Sequence, residues 1–306
     1  MSQLKTPIVF FVFNRPDVTK IVFEAIRQAK PTVMYVIADG ARTNKIGEAG
    51  KCEAVHKVIE GVDWDCKVIT NYSEINLGCK KRISSGLDWV FEQVESAIIL
   101  EDDCLPDPSF FRYCDELLEY YHYDSRVMSI GGLNPQLNKK ITDYSYYFSR
   151  YPHIWGWATW KRAWQFYDVD MKLWSKISNH QFLENIFTEP RTIKYWTQIF
   201  QATYQGDIDT WDYQWIFTCL MQGGFSIIPN RNLVSNLGFG IDATHTVNSG
   251  NSSPYSNMNT EEMVFPLRHP TFMLRSLPAD SFTENNYYNL DMSLKARAIR
   301  KISRFF

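Results

Sequence analysis

Along the first hundred residues, short apolar runs alternate with stretches whose apolar positions recur every three or four residues. Residues 8–13 (IVFFVF) are apolar throughout, the pattern of a parallel strand buried on both faces. From 17 to 30, Val18, Ile21, Val22, Ala25 and Ile26 make one apolar stripe, so a helix follows. A strand over 33–39, a polar helix over 46–60 and a strand over 67–71 come next. Ile83, Leu87, Val90, Phe91 and Val94 predict a helix over 79–95, and 97–100 is a fourth strand. Four strand–helix pairs in series define an α/β fold, a Rossmann-like, doubly wound and mainly parallel sheet. Ligands in such sheets bind at the carboxyl ends of the strands, which directs attention to the residues after Phe13, Asp39, Asn71 and Leu100.

The second half is less regular. The pattern predicts a helix over 109–121, a strand over 127–130 and an edge strand over 144–151. Short helices are expected over 159–167, 178–187 and 192–205, then a helix over 211–221 and a strand over 225–228. Residues 240–262, rich in Asn, Ser, Thr and Gly, read as a mobile loop suited to act as a lid. Residues 293–306 (SLKARAIRKISRFF) intersperse apolar residues with Lys and Arg and read as a basic amphipathic tail, suited to peripheral contact with an anionic membrane surface. The expected division is 1–132, a nucleotide-sugar-binding half; 133–292, an acceptor-binding and catalytic half of the same domain; and 293–306, the tail.

Composition changes this picture in three ways. A net charge of −2 over 306 residues gives no support to a nucleic-acid binder. Six cysteines form no C-x-x-C pair, so free thiols are expected, and with no apolar leader before the first strand the expected setting is cytoplasmic. Aromatics reach 15% and crowd into 144–215, where each ring is either core or a platform for a sugar.

The sharpest chemistry lies in IILEDDCLPDPSFFRY, residues 98–113. An apolar strand runs into Glu101, Asp102 and Asp103. Three consecutive carboxylates repel one another unless a cation neutralises them. Hard divalent ions such as Mn²⁺ or Mg²⁺ accept oxygen ligands, including phosphate oxygens, and so can hold a diphosphate leaving group. After the first strand comes Phe13-Asn14-Arg15-Pro16, with Pro16 at a helix start and Arg15 placed to grip a phosphate or a base carbonyl. Asp39-Gly40 ends the second strand, where Asp39 is suited to accept from a base N–H and Gly40 permits a turn or a close approach. Asn76-Leu77-Gly78 precedes Lys80, Lys81 and Arg82, any of which can approach the diphosphate. Sugar transfer also needs a base for the acceptor proton, and Asp207, Asp209 and Asp212 in GDIDTWDYQW (206–215) are the candidates.

With these motifs the chain resembles the GT-A glycosyltransferases. It is similar to the N-acetylglucosaminyltransferase I family, which carries an E-D-D and P-D-F-F pattern, and to bacterial family-2-like polysaccharide transferases. The resemblance implies that Asp103 binds the metal, that Asp102 contacts ribose or donor sugar, and that Glu101 supports the motif. It implies a nucleotide-sugar pocket of Phe13, Asn14, Arg15, Asp39, Gly40, Asn76 and Arg82, with Asp39 on uridine. It implies Asp212 as the inverting base, flanked by Trp211 and Trp215, although Tyr213 stands where the family has a second Asp; Asp209 is the second choice. Trp155, Gly156 and Trp157 would line the donor and acceptor pocket, with Gly156 letting backbone approach the sugar. His245 would be a further metal ligand.

The expected protein is thus a metal-dependent transferase. It would move a sugar from a nucleotide-diphosphate sugar, UDP-linked by resemblance, to a hydroxyl of a glycan or lipid-linked glycan in surface polysaccharide or glycoconjugate synthesis. Two alternatives are a sugar-1-phosphate nucleotidyltransferase, disfavoured because no Gly-rich loop follows the first strand, and an inactive glycan-binding protein.

Overall fold

The computed structural model describes residues 4–177, 181–238 and 253–290. His245, residues 240–252 of the expected lid, and the expected tail lie outside the described residues.

The first half alternates as its pattern requires: β1 (Ile8–Val12), α1 (Pro16–Ala29), β2 (Val33–Ala38), α2 (Glu48–Ile59), β3 (Lys67–Tyr72), α3 (Gly78–Phe91) and β4 (Ser96–Glu101). Pro16 opens α1, where its missing N–H costs nothing, and Lys30 closes it in the left-handed conformation. A short β5 (Cys104–Pro106) leads to α4 (Pro108–Tyr120), whose first turn is capped by the Asp107 carboxylate accepting from the Ser109 N–H. Then follow β6 (Val127–Gly131), β7 (Tyr146–Ser149), β8 (Trp157–Trp160) and the single turns α5 (Lys161–Trp164), α6 (Trp174–Ile177) and α7 (Gln181–Glu184). The chain continues with α8 (Pro190–Gln205), α9 (Asp212–Met221), β9 (Phe225–Pro229), β10 (Val234–Asn236), α10 (Leu277–Phe282) and a π-helical turn at Thr283–Tyr287.

Eight strands form one sheet in the order β3-β2-β1-β4-β8-β6-β9-β7. The fold is α/β, with a mainly parallel sheet in which only β8 and β7 run against the others. Helices cover both faces. Val22, Phe23, Ile26, Val55, Ile59, Phe110 and Leu117 pack α1, α2 and α4 onto one side. Ile83, Leu87, Trp164, Trp211, Trp215 and Cys219 pack α3, α5 and the start of α9 onto the other. β5 and β10 pair antiparallel in a small ribbon directly beyond β4.

Two expectations are corrected here. The helix expected over 159–167 begins with a strand, because Trp157 faces one core while Ala158 and Trp160 face the other, a two-residue period. The helix expected over 178–187 is only the single turn of α7 among the described residues. Many rings of the aromatic-rich region are core: Tyr151, Trp174, Phe187, Trp196 and Phe200, joined by Phe217, pack α6–α9 together.

Of the 240–262 loop, the described part is anchored: Tyr255 is buried with its hydroxyl donating to the Pro135 carbonyl at 3.0 Å, and the Glu261 N–H donates to the Asn232 carbonyl at 2.8 Å. All six cysteines are free thiols, and no helix among the described residues is long and apolar enough to cross a membrane.

Candidate active site

A cleft of about 910 Å³ opens at the carboxyl ends of β1, β2 and β4, within the size range of small-molecule sites. It is lined by Phe13, Asn14, Arg15, Asp39, Asn76, Arg82, Glu101, Asp102, Asp103, Trp155, Asp209 and Asp212. Residues from six separate stretches of the sequence therefore converge on one site. Gly40, Gly156 and Trp157 are not in its wall.

The acidic triplet forms its floor. Asp102 is buried and Asp103 is half-buried at the cleft surface. Arg15 joins them: its Nη2 and Nε donate to the Asp102 carboxylate, and its Nη1 reaches Asp103 Oδ2 at 3.0 Å. Burial pushes the Asp102 carboxyl up to about 6, opposed by the attraction of Arg15. Glu101 is held well above the carboxylate range by burial and by Asp103 and Asp102 beside it. The chain turns back beside Asp103 through β10: the Leu237 N–H donates to the Asp103 carbonyl at 2.8 Å. A Cβ at Gly238 would come to 2.1 Å from Asp103 Oδ2, so any side chain there would displace the Asp103 carboxylate.

The start of α9 faces this floor. The Asp212 carboxylate accepts from the Thr210 hydroxyl at the positive end of the helix. Asp209 reaches the opposite lip, its Oδ2 at 3.9 Å from the Cβ position of Gly78. Cys79 registers the convergence. Its thiol is pushed up by burial first, then by Glu101, Asp212, Asp209 and Asp103 together.

Several expected ligand contacts are instead spent on the scaffold. Asp39 accepts from the Gly40, Leu77 and Gly78 N–H groups and from Asn76 Nδ2, at 2.8–3.0 Å. Its lone pairs go to the turn before α3 rather than to a base. Gly40 does allow a close approach, but of the Ile75 backbone, 2.5 Å from where a Cβ would stand. Arg82 is buried and donates from Nε to the Ala38 carbonyl at 3.0 Å and from Nη2 to Asn71 Oδ1 at 2.8 Å, tying the ends of β2 and β3. Burial pulls its guanidinium down. Asn14 Nδ2 donates to Glu48 Oε1 at 2.9 Å.

Trp157 lies wholly within the core against Trp211, 5.6 Å between ring centres, and presents no face to a sugar. Gly156, at φ 59°, lets the Val234 side chain close in at 2.6 Å from its Cβ position, so the close approach is internal. Trp155 does line the cleft, with Tyr287 of the π-helical turn 6.0 Å behind it.

Sequence reasoning missed Arg42, which lines the cleft over the Phe13 ring at 5.5 Å and pairs with Glu48. Its position three residues past Asp39, at a strand end, was the available signal. Asn236 and Gly238 reach the site through the β5–β10 ribbon, a long-range pairing with no local signature. Among the described residues, no group of three or more His, Cys, Asp or Glu side chains is arranged to hold a metal ion.

No family model and no curated protein matches the chain. Similar solved structures include UDP-glucose pyrophosphorylase complexed with UDP-glucose, at 13% identity and a TM-score of 0.29, covering 53% of this chain and 70% of that one. Apo UDP-glucose pyrophosphorylase is similar at 10% identity and 0.36, covering 72% and 90%. Mouse xyloside xylosyltransferase 1 in its apo form is similar at 10% identity and 0.35, covering 70% and 81%. Likenesses of this size assign no activity to the chain.

Proposed function

We propose that the protein is a GT-A-type, metal-dependent glycosyltransferase acting on a nucleotide-diphosphate sugar and a glycan hydroxyl. One observation carries the reading: the triplet after β4 and the Asp209–Asp212 helix start, a hundred residues apart in sequence, face one another across a single cleft. The first suits a diphosphate and its counter-ion, the second a base for the acceptor.

Asp103 has the oxygen chemistry that a hard divalent ion takes. Asp103 offers carboxylate oxygen at the cleft surface, and Asp209 and Asp212 line the same cleft. Asp103 would hold Mn²⁺ or Mg²⁺, and the ion would supply charge neutralisation to the departing diphosphate. A single aspartate from the protein leaves room in the shell for phosphate oxygens and water. His245 as a further ligand remains a proposal from sequence.

The acceptor hydroxyl attacks the anomeric carbon as its bond to phosphate oxygen breaks. Asp212 takes the hydroxyl proton, with Thr210 orienting its carboxylate. Attack from the side opposite the diphosphate inverts the anomeric centre. Trp155 offers a ring face to the sugars. Polysaccharide or glycoconjugate synthesis is the setting in which such a donor and acceptor meet.

The test is release of nucleoside diphosphate from a panel of nucleotide sugars with Mn²⁺, with EDTA and Asp103→Ala controls. Metal-dependent release from one donor, lost in the variant, supports the reading. Pyrophosphate release from a nucleoside triphosphate and a sugar phosphate, with no such transfer, would replace it with a nucleotidyltransferase.

A further inference from the structure

Arg15 raises a question that the transferase reading leaves open. Its guanidinium already sits where an ion on Asp103 would have to act. The two limbs of the fork are used separately: Nη2 and Nε on Asp102, Nη1 on Asp103 Oδ2 at 3.0 Å. All three line the cleft, but Asp102 is buried, whereas Asp103 and Arg15 are partly exposed. One limb can therefore let go while the other holds. A guanidinium and a divalent cation on the same carboxylate oxygen repel at contact distance. A planar fork of donors is also the preferred partner of a phosphate. Arg15 stands at the N-cap of α1, at the positive end of a fourteen-residue helix, so an anion there meets favourable charge from both.

We propose that Arg15 is the resident counter-ion of the acidic motif: it yields Asp103 to the divalent ion and takes the donor's diphosphate in exchange. Metal entry and donor entry are then linked through one side chain. Before metal arrives, Arg15 neutralises the motif and keeps it folded. Once metal is bound, the released limb turns to the phosphate and favours donor binding after the ion. This inference rests on the metal-dependent transferase reading.

The signs of two affinities test it, with no turnover required. Calorimetric titration of the full chain with Mn²⁺ alone, then with UDP at saturating Mn²⁺, compares wild type with Arg15→Met and Arg15→Lys. Loss of the guanidinium is expected to tighten Mn²⁺ binding about tenfold and to weaken UDP binding about tenfold, within the usual range of linkage between sites. Arg15→Lys, which keeps the charge but loses the planar fork, falls between in both and carries the same test if Arg15→Met does not fold. If both affinities tighten, Arg15 merely repels the ligands and the exchange is wrong. If both weaken, Arg15 only supports the motif, and the proposal is equally lost. Failure of the wild type to take up Mn²⁺ would overturn the metal reading itself, an outcome distinct from either.

Discussion

Asp39 lines the cleft with its carboxylate already engaged by four donors of the protein itself. A carboxylate at the end of β2 was legible from the strand pattern. The four donors that surround it come from Gly40 and from Asn76, Leu77 and Gly78, more than thirty residues away, and nothing local announces them. Asp39→Ala leaves those N–H groups without their acceptor and is expected to cost about 1–3 kcal/mol, read as a lowered denaturant midpoint. Asp212 belongs to a different kind. Asp212→Asn should lower turnover by about 10²–10⁴ while leaving UDP affinity within twofold, because a base acts on the acceptor proton and not on the nucleotide. Asp209→Asn, with less effect on turnover, separates the two; the reverse order in a steady-state assay would exchange their roles.

Glu48 supplies a pH dependence of defined sign. Hydrogen bonds from the Arg42 side chain, its backbone N–H and Asn14 lower its carboxyl from the ordinary 4.5 to about 2, against an opposing effect of burial. A carboxyl lowered by folding stabilises the fold fully above its unfolded value and loses that contribution as pH falls. The increment is therefore present above pH 4.5 and fades toward pH 2, over the interval between those two values. Glu48→Gln should flatten the decline in unfolding free energy between these limits; a variant with an unchanged acid limb would refute the assignment.

Among the elements, those with a clean period were legible and those shaped by packing were not. The stripes in α1, α3 and α4 and the unbroken runs of β1 and β4 need no partner to be recognised. Trp157–Trp160 carries a strand period too short to register, and its Gly-spaced tryptophans suggest a binding surface. Only the pairing of Ser96–Ile99 with Trp157–Trp160 on one side, and of Ile130–Gly131 on the other, makes it a central strand. Trp157 consequently reports on stability. Trp157→Ala is expected to cost about 3–5 kcal/mol in chemical denaturation. At temperatures where the variant stays folded, its UDP affinity should match wild type; a selective loss of donor binding would return Trp157 to the pocket. The cleft itself was legible as a set of strand ends, because doubly wound topology dictates where those ends gather. Its far wall, from α9 and the β5–β10 ribbon, depends on contacts over a hundred residues and was only partly so.

Across the whole molecule, residues 275–288 strap the second half together. Asp280 accepts from Ser149 Oγ at 2.6 Å and lies beside Arg150 and Arg275. Glu284 accepts from the Tyr151 hydroxyl at 2.6 Å and from Thr192 Oγ1 at 3.1 Å. These bonds hold the π-helical turn, and with it Tyr287 behind Trp155, against the cleft. Glu284→Ala should lower stability by about 1.5–3 kcal/mol and speed amide exchange over 283–288. Unchanged exchange there would show that the strap is held by packing alone.

The place of β8 in the sheet also governs how the chain is made. On a ribosome, β1 to β4 emerge first and can assemble as a parallel unit while the outer edge of β4 is still bare. The strand that covers it, Trp157–Trp160, is synthesised more than fifty residues after Glu101. For that interval the nascent protein presents an unpaired strand edge, apolar over Ala97–Leu100, the kind of surface on which chains aggregate and holdase chaperones act. A translational pause between these strands would lengthen the exposure, so expression yield is where codon choice in this stretch should first be felt.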